Sequence, residues 1–191
     1  PYVVKILLGE VASARRPLKV ERILATKDDV LTALFERTYA GLSPAARRVF
    51  LTLCGWRSLV PQVGLEAVLL RKENEKLDVE GAIQELSRSS LVDLFVNKSE
   101  QMAFLGVPLT AALFGRRKLS VSPMSPGIED DLELLMAFGA SKQTDVSAGA
   151  SVRIERFFGR VSERLGKVGE SLDTYVPILE FLARRYPQGW I

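Results

Sequence analysis

The residues that could do chemistry in this chain are mostly charged. Arg153, Arg156, Arg160, Arg164 and Lys167 recur at spacings of three and four, which lines up cations along one side of a helix. Such a stripe, with Phe157 and Phe158 close by, could hold nucleic acid or an acidic protein partner. Its ordinary reading is a solvated face partly paired with Glu155 and Glu163. Glu129, Asp130 and Asp131 invite a metal ion, but consecutive residues point in different directions around a helix. The positive end of a helix dipole accounts for them without one. Arg116, Arg117 and Lys118 read in the same way as cations at a helix C-terminus.

What is missing narrows the chemistry further. None of the 191 residues is histidine, which removes His general bases, Ser–His and Cys–His nucleophile pairs and nearly all zinc sites. The glycines are scattered singly, and no Gly-x-x-x-x-Gly-Lys-Ser/Thr phosphate loop occurs. The chain is therefore expected to have no catalytic residues, no metal and no cofactor of its own. Cys54 is the single cysteine, so no disulfide forms within the chain, and a reducing cytoplasm fits best. The 26 basic and 23 acidic residues leave a net charge of +3, too little to drive binding to a polyanion without local clustering.

Elements to position these residues follow from the spacing of apolar side chains. The 47% hydrophobic content is ample for a core. Val3, Val4, Leu7, Leu8 and Val11 predict an amphipathic helix over residues 1–14. Thr26 and Gly41 bracket a second helix, over Lys27 to Ala40. Ser43 and Pro44 are an N-cap followed by a first-turn proline, with Val49, Phe50, Leu53 and Cys54 as the buried stripe. Helices are also predicted over Gln62 to Lys72 and, capped by Asp78, over Val79 to Ser90. The period then changes: Leu91 to Val96 and Met102 to Val107 are β-prone runs that predict a hairpin. Three helices followed by a hairpin is the winged-helix order.

Beyond the hairpin, a short helix is predicted from Pro108 to 118, then a turn-rich linker over 120–127 that marks a domain boundary. Glu129 to Phe138 is predicted helical, as are two C-terminal helices on the stripes Ile154/Phe157/Val161 and Leu172/Val176/Leu179/Leu182. Pro177 kinks or restarts the last one. The fold expected is mainly α, with a small helical domain (1–41), a winged-helix domain (42–119), the linker and a C-terminal helical hairpin within 128–191. The longest uncharged run, Gln101 to Gly115, falls short of the roughly 20 apolar residues that span a bilayer, so neither a membrane helix nor a membrane partner is expected. The start at Pro1 lacks the order of a secretory signal and reads as that of an excised fragment.

Two stretches, Pro1-Tyr-Val-Val-Lys-Ile-Leu-Leu-Gly and Leu42-Ser-Pro-Ala-Ala-Arg-Arg-Val-Phe-Leu-Thr-Leu, resemble the STAND class of signal-transduction ATPases and its NB-ARC members. The resemblance covers about residues 1–119. It implies that Pro1 is the proline lying against the nucleotide and that an ATPase core with ATP or ADP lies upstream. Family members often place a histidine that senses the nucleotide phosphate just after the last wing strand. Val107 stands nearest to that position here, and an isopropyl group can neither donate to a phosphate nor titrate.

The function so implied is that of a non-catalytic regulatory segment, partnered by the upstream nucleotide-binding domain and other protein domains. The alternative is a winged-helix transcriptional regulator that binds DNA. Against it, the helix in the recognition position holds Asp78, Glu80 and Glu85 but only Arg88 as a base, and duplex binding requires several Lys and Arg contacts to phosphates.

Overall fold

The computed structural model describes Lys5 and residues 27–74, 76–97, 102–139, 149–167 and 171–185. The helix expected over 1–14, and Pro1 with it, lies outside the described residues except for Lys5, which is helical. Among the described residues the chain is mainly helical, with eight α-helices and a small three-stranded antiparallel sheet. No helix among them is long and apolar enough to cross a membrane.

Helix α1 (Lys27–Gly41) delivers Phe35 to a ring stack on Phe114, with centroids 5.3 Å apart. Helix α2 (Pro44–Gly55) begins where the serine and proline predict. The Ser43 hydroxyl oxygen accepts the Ala46 amide at 3.1 Å, and Pro44 needs no hydrogen-bond partner for its nitrogen. Its apolar face, with Val49, Phe50, Leu53 and Cys54, is fully or nearly fully buried.

The next elements are β1 (Val60–Pro61), α3 (Gln62–Leu69), α4 (Val79–Arg88), β2 (Asp93–Asn97) and β3 (Met102–Gly106). β3 lies between the other two strands. Leu105 is opposite both Val60 and Leu94, and Phe104 is opposite Pro61 and Phe95. Asp78 caps α4 as expected, accepting the Gly81 amide at 2.9 Å.

The C-terminal end of α4 departs from the expected Ser90. The helix stops at Arg88, and Ser90 turns to φ 56° while the Leu91 amide bonds Leu86 O and the Ser90 amide bonds Ser87 O, each at 3.0 Å. This is a Schellman closure with serine in the left-handed position usually held by glycine. Leu86 and Leu91 are both buried beneath it, which supplies the apolar contact that accompanies this motif.

Helices α5 (Leu109–Ser120), α6 (Ser125–Phe138), α7 (Ala150–Leu165) and α8 (Val176–Arg185) complete the described chain, with a 3-10 turn at Leu172–Thr174 before the last. Several expectations change here. The linker over 120–127 shrinks to residues 121–124, because α5 runs on to Ser120 and Pro126 starts α6 four residues early. Glu129, Asp130 and Asp131 therefore do not sit in a first turn. Pro177 restarts the chain in the first turn of α8 instead of kinking it.

The two C-terminal helices, expected to form a hairpin, find their main packing partners elsewhere. α7 lies along α6 and α8 contacts α3. The reason is in the stripes: Phe157 of α7 meets Phe138 of α6 with ring centroids 4.8 Å apart. Helix α3 offers Val63, Leu65, Val68 and Leu69 as buried apolar surface for its neighbours. One contiguous core joins Phe35, Phe50, Leu86, Leu105, Phe114, Ile128, Phe138, Phe157 and Ile178, and it crosses the boundary expected at 120–127.

Candidate functional site

The stripe on α7 does not survive as a continuous surface. Arg153, Phe157, Val161 and Arg164 follow one another at spacings of four, four and three, so they share the face that packs on α6. Arg153 is 1% exposed; its guanidinium donates to the Phe138 carbonyl at 2.6 Å and lies 5.2 Å from the Phe104 ring centroid. Arg164 is buried and lies 3.3 Å from Glu133. Arg160 is half-buried between Glu133 at 2.8 Å and Glu163 at 2.9 Å. Arg156 and Lys167 are exposed. The structure brings Arg160 and Arg164 together on Glu133, sets Arg153 apart at the end of α6, and leaves Arg156 and Lys167 exposed.

Val107 is half-buried just past β3. It lines a cleft of about 320 Å³ between the end of α2 and the start of α5, together with Trp56, Arg57, Leu59, Leu109 and Arg116. The lining is mixed, with Arg57, Ser58 and Arg116 among its apolar side chains. Arg116 donates from Nε to the Cys54 carbonyl at 3.0 Å, so it closes the C-terminus of α2 rather than that of its own helix. The Trp56 indole nitrogen is buried and has no hydrogen-bond partner among the described residues. Lys118 likewise turns to another helix, pairing with Glu36 at 2.7 Å.

A third cluster was not singled out by sequence. Asp131 is fully buried on α6, where the Arg48 guanidinium of α2 donates to one carboxylate oxygen. Asn74 Nδ2 donates to the other at 3.1 Å, and Arg71 Nε lies 3.2 Å from it. Arg71 also approaches Asp130 at 3.3 Å. Burial pushes the Asp131 carboxyl above its ordinary value, opposed by Arg48, Asn74 and Arg71. Burial also lowers the Arg48 guanidinium, opposed by Asp131. A helical reading could have found this cluster: Asp131 lies three residues from both Ile128 and Leu134, on the buried face of α6.

Helix α4 and its cap hold two of their three acids in structural contacts. Asp78 caps it, and Glu85 accepts the Ser43 amide at 2.9 Å and the Ser43 hydroxyl at 2.7 Å. These two bonds tie the start of α2 to the middle of α4. Among the described residues no group of three His, Cys, Asp or Glu side chains is placed to hold a metal ion. No family model matches the chain, and no curated protein or solved structure matches it either.

Proposed function

We propose that this chain is a non-catalytic regulatory segment of a nucleotide-dependent signalling switch of the STAND type, in which residues 42–119 form a winged helix acting through protein contacts. The observation that carries this reading is topological. The order α2, β1, α3, α4, β2, β3, with β3 in the centre of the sheet, is that of three helices and a wing with a short first strand between helices one and two. The resemblance at Leu42-Ser-Pro falls at the start of the first of these helices.

In this reading the resting state has the winged helix packed on an upstream nucleotide-binding domain that holds ADP or ATP. Nucleotide exchange or a partner then shifts the population to a released state. Val107 and the cleft beside it supply a contact surface rather than a phosphate sensor. Leu109 lines it at 72% exposure, and Leu113, 50% exposed, follows one helical turn along the same face of α5. The DNA reading loses support because α4 spends Asp78 and Glu85 on internal bonds and has only Arg88 as a base. Of the five cations, Arg156 on α7 and Lys167 just past its end are the exposed ones.

Release of a fluorescent ADP from the upstream nucleotide-binding region, measured with and without this chain joined to it, tests the proposal. The chain should slow release by a factor on the order of 5 to 150, the usual range of coupling between sites. Leu109→Asp with Leu113→Asp should restore the faster rate. Equal rates with and without the chain would sink the switch reading. Salt-sensitive anisotropy changes with duplex DNA would favour the regulator instead.

A further inference from the structure

The cleft beside Val107 joins a floor and a rim of different chemistry. Leu53, Val60, Leu105 and Ala112 make the floor, each no more than 6% exposed. Arg57 and Ser58, both exposed in the turn after α2, and Arg116 of α5 make the rim. No aspartate or glutamate lines it among the described residues.

The arginines of this rim lack what four inner arginines of the chain have. Arg48, Arg71, Arg160 and Arg164 are buried or half-buried, and each lies against a carboxylate. Arg116 is half-buried too, but its Nε donates to the Cys54 carbonyl and no carboxylate faces it among the described residues. That bond anchors the guanidinium at the cleft and leaves its Nη groups for another acceptor. Arg57 likewise has no carboxylate partner among the described residues.

An apolar floor under two cations without anions fits an occupant that has an apolar body and one negative group. The guanidinium fork matches a carboxylate. The volume of about 320 Å³ is near the lower end of ligand pockets, about 300–1,000 Å³, so the room suits one or two side chains rather than a nucleotide. Leu109, 72% exposed, carries the apolar surface out past the rim. An occupant that uses it lies partly in the open, as a peptide segment does, whereas a small molecule is mostly enclosed by its pocket.

We propose that the cleft receives an acidic and apolar segment of a partner protein, its Asp or Glu carboxylate held by Arg57 and Arg116 and a neighbouring large apolar side chain seated on Leu53, Val60 and Leu105. The inference rests on the reading of this cleft as a contact surface and names the chemistry of what contacts it.

The test uses the whole chain with Trp190→Phe, which leaves Trp56, a residue of the cleft lining, as its one tryptophan. The probes are two blocked pentapeptides, Gly-Leu-Glu-Leu-Gly and Gly-Leu-Gln-Leu-Gly. The Glu peptide should change the Trp56 emission saturably, and the Gln peptide should bind about tenfold more weakly or worse, since it lacks the charge-assisted bonds. Arg57→Gln should weaken the Glu peptide about two- to fivefold, the scale of an exposed ion pair, with the unfolding temperature unchanged because Arg57 is exposed. Added salt should weaken the Glu peptide and leave the Gln peptide as it was. Equal binding of the two peptides, no emission change with either, or binding untouched by Arg57→Gln overturns the proposal. Inorganic phosphate that binds more tightly than the Glu peptide also overturns it, in favour of a phosphate group as the occupant. The ADP-release experiment is indifferent to these results, because Leu109 and Leu113 can make a contact through apolar surface alone.

Discussion

The thiol of Cys54 packs against Gly115, where α2 and α5 approach so closely that a side chain at 115 would meet the sulfur. Burial pushes this thiol up to about 12 from an ordinary value of 9.0, because a thiolate there would lose its hydration. A group whose value rises on folding stabilises the fold fully below its unfolded value and less as pH climbs toward its folded one. Unfolding free energy should therefore fall with pH above about 9, by as much as about 1.4 kcal/mol per unit from this group alone. Denaturant titrations at about pH 8 and pH 10 should show a shallower fall in Cys54→Ala. Tyr39, which burial also shifts upward, is present in both proteins, so only the part of its shift that comes from Cys54 enters the difference. At this scale the sequence announced which residues carry charge but not which ones face inward. Arg153 and Arg164 sit at helical spacing from Phe157 and Val161, a signal present in the chain but outvoted by the rule that arginines stay in water. They are inside because Glu133 and the Phe138 carbonyl satisfy them there.

Among the elements, the cluster at Asp131 joins three pieces that sequence alone assigned to two domains: α2 through Arg48, the turn after α3 through Arg71 and Asn74, and α6 through the aspartate. Removing the carboxylate leaves the buried Arg48 guanidinium without an anion and Arg71 with only Asp130 and Glu73, and breaking comparable buried pairs costs about 3–5 kcal/mol. Asp131→Ala should lose that much stability in urea unfolding, and the loss should shrink by about 0.5–3 kcal/mol when Arg48→Met is already present. Additive losses in the two variants would show that the residues do not act on each other. Helix starts were the most legible elements, since Ser43 with Pro44 and Asp78 carry their own caps. The strand at Val60–Pro61 was not legible: two residues show no alternation, and proline reads as a turn. What makes them a strand is β3, which lies more than 40 residues later in the sequence. The early start of α6 was hidden in the same way, behind serines and prolines that also compose linkers.

For the molecule as a whole, the uninterrupted core from Phe35 to Ile178 implies that α1, the three-helix module and the C-terminal helices melt together. Calorimetry should give one transition whose calorimetric and van't Hoff enthalpies agree. Two separated transitions would show instead that the boundary near 120–127 divides the core. The way α7 is held to this body has a bearing on evolution and engineering. Arg153 donates to the carbonyls of Phe138 and Gly139, so the end of one helix is gripped by a side chain of the next. A junction held by the planar fork of one guanidinium is replaceable in a single step: Arg153→Lys keeps the charge but loses the fork, and should let α7 swing away from the end of α6 before any apolar contact between the two helices is given up.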